Sequence, residues 1–305
     1  MFLISQKFKF FLSFFLTIGI LWALINFIGL HNLFVTFKKI KIKYALIAFF
    51  LSLSFPFFGA LRWHWLLKAI NQNLSILNCF ALTIGTWPLN VFLPSRTGDF
   101  FRVIFLNRNI SKAKVFGSII AEKLLDIACL SIIGLFGSIF IKNKKFTIIF
   151  IGILILIAVS SQVLFFLEKW LRDKNIQLLN KLSLTIQGIN ILSLYPKFSI
   201  IAAFWSLINW SLSIVQVFLF FKAFDIYVSL IEISARLPLS IFIGILPITL
   251  AGIGTRDTAM LFLFKEFAPL SIIFSVSIFY TLYSYFLYGL LGIPFFIYLA
   301  SQCKS

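Results

Sequence analysis

The chain reads as an all-α polytopic integral membrane protein of about eight transmembrane helices, and three observations lead there. Hydrophobic residues make up 61% of the sequence and charged residues 12%, with a mean hydropathy of +1.05, against ~45–50% apolar and ~25% charged in soluble domains. Apolar runs of spanning length recur from end to end, and at ~20 residues per span the 305 residues have room for eight or nine. Only one long polar interval, 168–198, interrupts them. A water-soluble globular fold is excluded, and a single membrane domain over 1–305 is expected.

The expected spans are 10–30, 44–61, 76–93, 115–140, 146–167, 199–221, 229–250 and 270–299, with 257–268 left open. Lys7 and Lys9 precede the first. Its apolar run outlasts the ~7–15 residues of a signal-peptide core and no small-residue cleavage site follows, so it is read as a retained span. Arg62-Trp63-His64-Trp65 reads as an aromatic interface anchor. Within 168–198, Leu179, Leu182, Ile186 and Ile189 recur at helical spacing opposite Asn180, Lys181 and Gln187. That fits an amphipathic helix lying in the interface; an ordinary loop fits equally well.

Lys and Arg number 27 against nine Asp and Glu, for a net charge of +18. Basic clusters such as Lys38-Lys39-Ile40-Lys41 and Lys142-Asn143-Lys144-Lys145 fall between apolar runs, where they meet anionic head groups and set topology. Nucleic acid is not expected as a partner. The cysteines Cys79, Cys129 and Cys303 are scattered, and His31 and His64 stand far apart. They form no disulfide framework or metal-ligand pattern, so no metal or other cofactor is expected.

Two apolar segments are broken by Pro and Gly and end in charge. The first, 85–99, holds Asn90, Pro94, Arg96, Gly98 and Asp99; the second, 244–257, holds Pro247, Gly252, Gly254, Arg256 and Asp257. Pro94 and Pro247 lie 153 positions apart, half the chain, so the segments mark a pseudo-repeat with halves 1–145 and 146–305. Interrupted segments at matching places in two halves point to a transporter-type site; ordinary span-to-loop turns remain the alternative. If 76–93 dips in and returns, the N-terminal side collects 14 Lys/Arg against eight, and if it spans, the numbers reverse. The re-entrant course, with a cytoplasmic N-terminus, is favoured.

Glu122 and Asp126 stand ~10 and ~16 Å into span 115–140, counted at ~1.5 Å per residue, and at i, i+4 they share a helix face. Charges at such depth cost ~2.5–3.5 kcal/mol each, so they must face a cavity, a cation or a proton. Lys123 points elsewhere on the helix. Arg96, Arg102 and Arg256 are the expected partners, and Asp99 can pair Arg102 locally at i, i+3. A purely structural buried network is the bland alternative. A helix N-terminus with a nearby Arg suits phosphate.

Three strings carry a family resemblance. Residues 90–102, with Asn90, Pro94, Arg96, Gly98, Asp99 and Arg102, resemble the pattern N-x-x-L-P-x-R-x-G-[DE]-x-x-R. Glu122-Lys123-Leu124-Leu125-Asp126 resembles E-[RK]-x-x-D, and residues 247–257 resemble P-x-S-x-x-G-x-G-x-R-[DE], with Thr249 in place of Ser. All three are motifs of the lysylphosphatidylglycerol synthase transmembrane-region family, also described as flippase-like. The resemblance implies a stand-alone member with the translocase region and without the aminoacyltransferase domain, so lysyl transfer is not expected.

The resulting expectation is a translocase of the cell inner membrane that moves an anionic or aminoacylated lipid, or a polyprenyl phosphate, between leaflets. Arg96, Arg102, Arg256 and Asn90 would hold the head group. Glu122, Asp126, Asp99, Asp257 and Lys123 would form the proton, cation or charge network, and Pro94, Gly98, Pro247, Gly252 and Gly254 would shape the breaks. Two rivals stay open. An intramembrane enzyme on a lipid-linked sugar or phosphate would use Glu122 or Asp126 as base, without a His cluster or DxD motif. A structural subunit of a cell-envelope complex is the other. A homo-oligomer and a cell-envelope enzyme partner are both open.

Overall fold

A computed structural model describes residues 2–93, 96–106, 111–172 and 177–302. Among them the chain is helical throughout, in keeping with a medium where each helix satisfies its own backbone. The first half comprises α1 (Phe2–Ile28), α2 (Leu30–Lys38), α3 (Ile42–Ser52), α4 (Phe55–Ala69), α5 (Ile76–Gly85), α6 (Trp87–Phe92), a 3₁₀ turn (Thr97–Val103) and α7 (Lys112–Phe140). The second comprises α8 (Lys144–Arg172), α9 (Gln177–Leu194), α10 (Pro196–Ala223), α11 (Leu230–Ile245), α12 (Thr255–Phe264), α13 (Leu270–Thr281), a π turn (Leu282–Phe286) and α14 (Leu287–Gln302).

Among the described residues five stretches are both long and apolar enough to cross a membrane: Phe11–Ile28, Ile42–Ala69, Lys144–Leu171, Pro196–Ala223 and Leu270–Gln302. The protein is therefore multi-pass. Its α7 matches them in length with 29 residues and carries Glu122, Lys123 and Asp126 mid-helix. The span expected over 44–61 runs on to Ala69, past Arg62.

The stretch 76–93 is a helix broken at Thr86, whose hydroxyl donates to the carbonyls of Leu82 and Thr83, supplying partners where the ladder stops. Its course can be followed against α14. Phe80 meets Phe295 with ring centroids 5.8 Å apart. Trp87 lies against Tyr285 and Tyr288, and after the break Phe105 meets Phe296 at 5.9 Å. The chain thus descends from the level of Phe295 to that of Tyr285 and climbs back, a depth of ~15 Å at ~1.5 Å per residue. That is roughly half of a ~30 Å hydrocarbon core, the course of a re-entrant segment.

Within the interval 168–198, Gln177–Leu194 form helix α9, and the helix packs against protein. Its buried face is Ser183, Ile186, Asn190 and Ile191, whereas Leu182 is exposed. Gln187 donates to Glu168 on α8 at 3.0 Å. On α7, Gly117 approaches Gly188 so closely that a Cβ on Gly117 would fall 2.8 Å from the Gly188 Cα and overlap the Thr185 carbonyl. Small residues allow backbones to meet in this way inside membranes.

Gly117→Val should accordingly lower stability in detergent by about 1–3 kcal/mol through overpacking, read as a lower thermal midpoint. Gly152→Ala, where a Cβ meets nothing within 4 Å, should leave the midpoint unchanged.

Candidate functional site

The charged residues of both halves gather where α4, α7, α10, the re-entrant segment and the π turn meet. Glu122 is the centre. Its Oε2 accepts from Arg102 at 2.7 Å and its Oε1 from Arg62, with all three side chains buried. Arg62 also donates to Asp126 Oδ1 at 2.5 Å. That same oxygen accepts from Ser206 at 2.7 Å and from the Trp210 indole at 2.8 Å. Arg102 bonds Asp99 at 2.9 Å, the local i, i+3 pair, and stacks on Trp63 at 4.9 Å. Asp99 further accepts from Asn90 at 2.8 Å and from Lys123. The 3₁₀ turn sits tight on α6: a Cβ on Gly98 would come within 2.6 Å of Asn90 Oδ1, so the Asn90–Asp99 bond needs glycine there. Pro94 lies outside the described residues.

Arg62 is the member of this cluster that sequence reading did not place in it. Arg62-Trp63-His64-Trp65 does not anchor an interface, because Trp63 and its neighbours are packed inside the bundle. Trp63 donates toward Ser118 at 3.3 Å, and His64 bonds the Leu74 carbonyl at 2.8 Å. An Arg seven residues before a helix end can turn inward as readily as outward, and the pattern alone does not distinguish the two.

The second broken segment leaves α11 at Ile245 and turns through Ala251 (φ +51°), Gly252 (φ +71°) and Gly254 (φ +92°) into α12. A Cβ on Gly252 would lie 2.5 Å from the Gly244 carbonyl oxygen, so the turn folds back onto α11. Pro247 stands in the exposed part of this turn. From α1, Thr17 accepts the Leu250 N–H at 2.9 Å. Asp257 accepts the Gly254 N–H at 2.8 Å and the Ser277 hydroxyl. Arg256 donates to Thr281 and reaches Asp257 at 3.5 Å. Its Nε and Nη1 are buried with no partner, although the residue is 1% exposed.

Arg96 has left-handed backbone geometry at φ +54°, a strained conformation of the kind that clusters at functional sites. Its guanidinium stacks on Trp87 at 4.7 Å and on Tyr285 at 4.9 Å. Arg256 stacks on the same Tyr285 at 5.1 Å. One ring therefore serves the arginines of both broken segments, and that ring sits in the π turn, an irregularity often found at working sites. Among the described residues no carboxylate lies within salt-bridge distance of Arg96.

These side chains border two adjoining chambers. One, of about 60 Å³, is faced by Arg62, Arg102, Glu122 and Trp87 among others. The other, of about 80 Å³, is faced by Arg256, Tyr285, Gly244 and Ile241. Arg96, Lys123, Asp126, Trp210 and Tyr280 line both. The first is mostly self-compensated ion pairs. The second has two arginines, Arg96 and Arg256, with guanidinium nitrogens to offer. Among the described residues no group of three or more His, Cys, Asp and Glu side chains could hold a metal ion.

A family model described as "Lysylphosphatidylglycerol synthase TM region" matches residues 10–292. A UPF0104 membrane protein of Methanocaldococcus jannaschii is similar, at 25% identity over 300 residues, covering 88% of this chain and 89% of that protein.

Glu122→Gln removes the carboxylate shared by Arg62 and Arg102 and leaves buried guanidinium charge uncompensated. It should destabilise the protein by about 3–5 kcal/mol, whereas Ser206→Ala, which deletes one of three donors to Asp126, should cost about 1 kcal/mol. Thermal unfolding in detergent measures both.

Proposed function

From the premise that the chain belongs to the lysylphosphatidylglycerol synthase TM region family, a family of membrane domains, we propose that it is a lipid translocase that moves an anionic head group between leaflets. The observation that carries this reading is the convergence of Arg96 and Arg256, one from each broken segment, on a single chamber, with the Arg256 Nε and Nη1 unpartnered. A buried guanidinium without partners is costly, and a phosphate oxygen is the acceptor that matches its planar fork. Arg102 plays a different part. Both its terminal nitrogens bond carboxylates, so it braces the re-entrant segment against α7. Asn90 and Asp257 likewise hold backbone and neighbours in place.

The membrane is the cell inner membrane, with the N-terminus in the cytoplasm. Arg62, Arg96 and Arg102 are interior groups and do not count as loop charges, which leaves 11 Lys/Arg on the N-terminal side against eight on the other. The positive-inside rule still favours the same orientation.

Reconstituted into vesicles with labelled phosphatidylglycerol, the wild type should accelerate leaflet exchange. Arg96→Gln and Arg256→Gln should each slow it by about tenfold or more, the loss of one charge-assisted bond. Wild-type rates in both folded variants would rule the reading out.

A further inference from the structure

The charges around the two chambers can be counted, and the count narrows the ligand. Five cations belong to the cluster, Arg62, Arg96, Arg102, Lys123 and Arg256, together with four carboxylates, Asp99, Glu122, Asp126 and Asp257. Each carboxylate accepts from a guanidinium or ammonium group: Asp99 from Arg102 and Lys123, Glu122 from Arg62 and Arg102, Asp126 from Arg62, and Asp257 from Arg256. Counted at formal charge, with guanidinium keeping its proton throughout, the five cations outnumber the four carboxylates by one. The cluster therefore holds one positive charge in excess.

That excess has a location. Arg62 and Arg102 each bond two carboxylates, and Lys123 bonds Asp99. Arg256 has one carboxylate contact at 3.5 Å and two unpartnered nitrogens, and Arg96 leans on aromatic faces. Both border the second chamber, whose wall otherwise holds the already paired Lys123 and Asp126 and a largely aromatic and apolar remainder, with Trp210, Tyr280, Ile127, Ile241 and Ile245. An unbalanced charge in a poorly solvated interior is costly whatever its sign.

We propose that the site selects a monoanion: a lipid phosphodiester whose head group carries no other charge, in preference to a phosphomonoester carrying two. One phosphodiester brings the cluster to neutrality. A dianion would take it to one negative charge in excess and restore the same burden with the opposite sign. The uncharged remainder of the head group, a glycerol or a sugar, lies against the Trp210 and Tyr280 faces. This inference rests on the arginine-bound anion proposed above.

The test compares phosphatidylglycerol with phosphatidic acid of identical acyl chains in phosphatidylcholine vesicles at about pH 8.5, where a phosphomonoester, with a second pKa of ~6, has lost its second proton. Wild type should exchange phosphatidylglycerol about tenfold faster than phosphatidic acid. Asp126→Asn raises the empty cluster by one positive charge and should cut that ratio by about tenfold; Asp257→Asn makes the same charge change from the other broken segment if the first variant does not fold. Phosphatidic acid moved as fast as phosphatidylglycerol by wild type, or a ratio unmoved by a folded Asp→Asn variant, overturns the proposal and leaves the translocase reading standing. If wild type exchanges neither lipid, the translocase reading falls. Equilibrium binding of the two lipids to the purified protein then decides the charge count alone: about tenfold tighter phosphatidylglycerol supports it, and equal affinity overturns it.

Discussion

Glu122 holds the interior together by taking one guanidinium from each of two directions. Arg62 comes from α4 and Arg102 from the 3₁₀ turn after the re-entrant segment, so a single carboxylate in the middle of α7 ties three separate parts of the chain. Removing water from such a group is expensive, and its partners repay that cost only because the geometry also satisfies their remaining hydrogens. Arg102 completes its bonding on Asp99, and Arg62 on Asp126, which Ser206 and Trp210 support from α10. The re-entrant segment has little apolar reason to stop at mid-depth. The chain of ion pairs gives it one, since the turn that reverses it carries Asp99 and Arg102.

The two broken segments solve one backbone problem with different electrostatic results. In each, an aspartate is the third residue of a helical turn that follows a left-handed residue: Asp99 after Arg96, and Asp257 after Gly254. In the first half the aspartate is drawn into the ion-pair network. In the second it is occupied by a backbone N–H and a serine hydroxyl, which leaves its neighbour Arg256 undercompensated. The available positive charge therefore gathers at Arg96 and Arg256, both stacked on Tyr285 in the π turn of the 270–302 helix. A ring shared by two guanidiniums offers a weak cation–π hold that a phosphate can replace.

Much of this was legible in the residues. Composition pointed to a membrane protein, since 61% hydrophobic and 12% charged residues depart far from soluble domains, and the long apolar runs pointed to helices. Glu122 and Asp126 stood out because carboxylates at their depth need a reason, and the two Pro/Gly breaks because their motifs match half a chain apart. What stayed hidden has physical causes. Arg62 follows an apolar run, and a charge there reads as the end of a span; the helix continues to Ala69 and turns the arginine inward. Tyr285 owes its position to a π turn, which has no signature among the closely spaced tyrosines 280, 283, 285 and 288. The packed face of α9 was misassigned because apolar periodicity in a membrane protein does not separate lipid from protein. Close packing is done by small and polar residues such as Ser183, Gly188 and Asn190, while Leu182 stays outside. His64 and its tryptophans failed for the same reason, since aromatic residues also fill the interior of this bundle.

The central claim is that Arg96 and Arg256, from opposite halves of the chain, bind one phosphate together in place of the Tyr285 ring. An electron cryomicroscopy structure in nanodiscs containing phosphatidylglycerol tests it directly. The account predicts phosphate density within hydrogen-bonding reach of both guanidiniums, with at least one of them lifted from Tyr285. Lipid density confined to the outer surface, with both arginines still stacked on that ring, would contradict it.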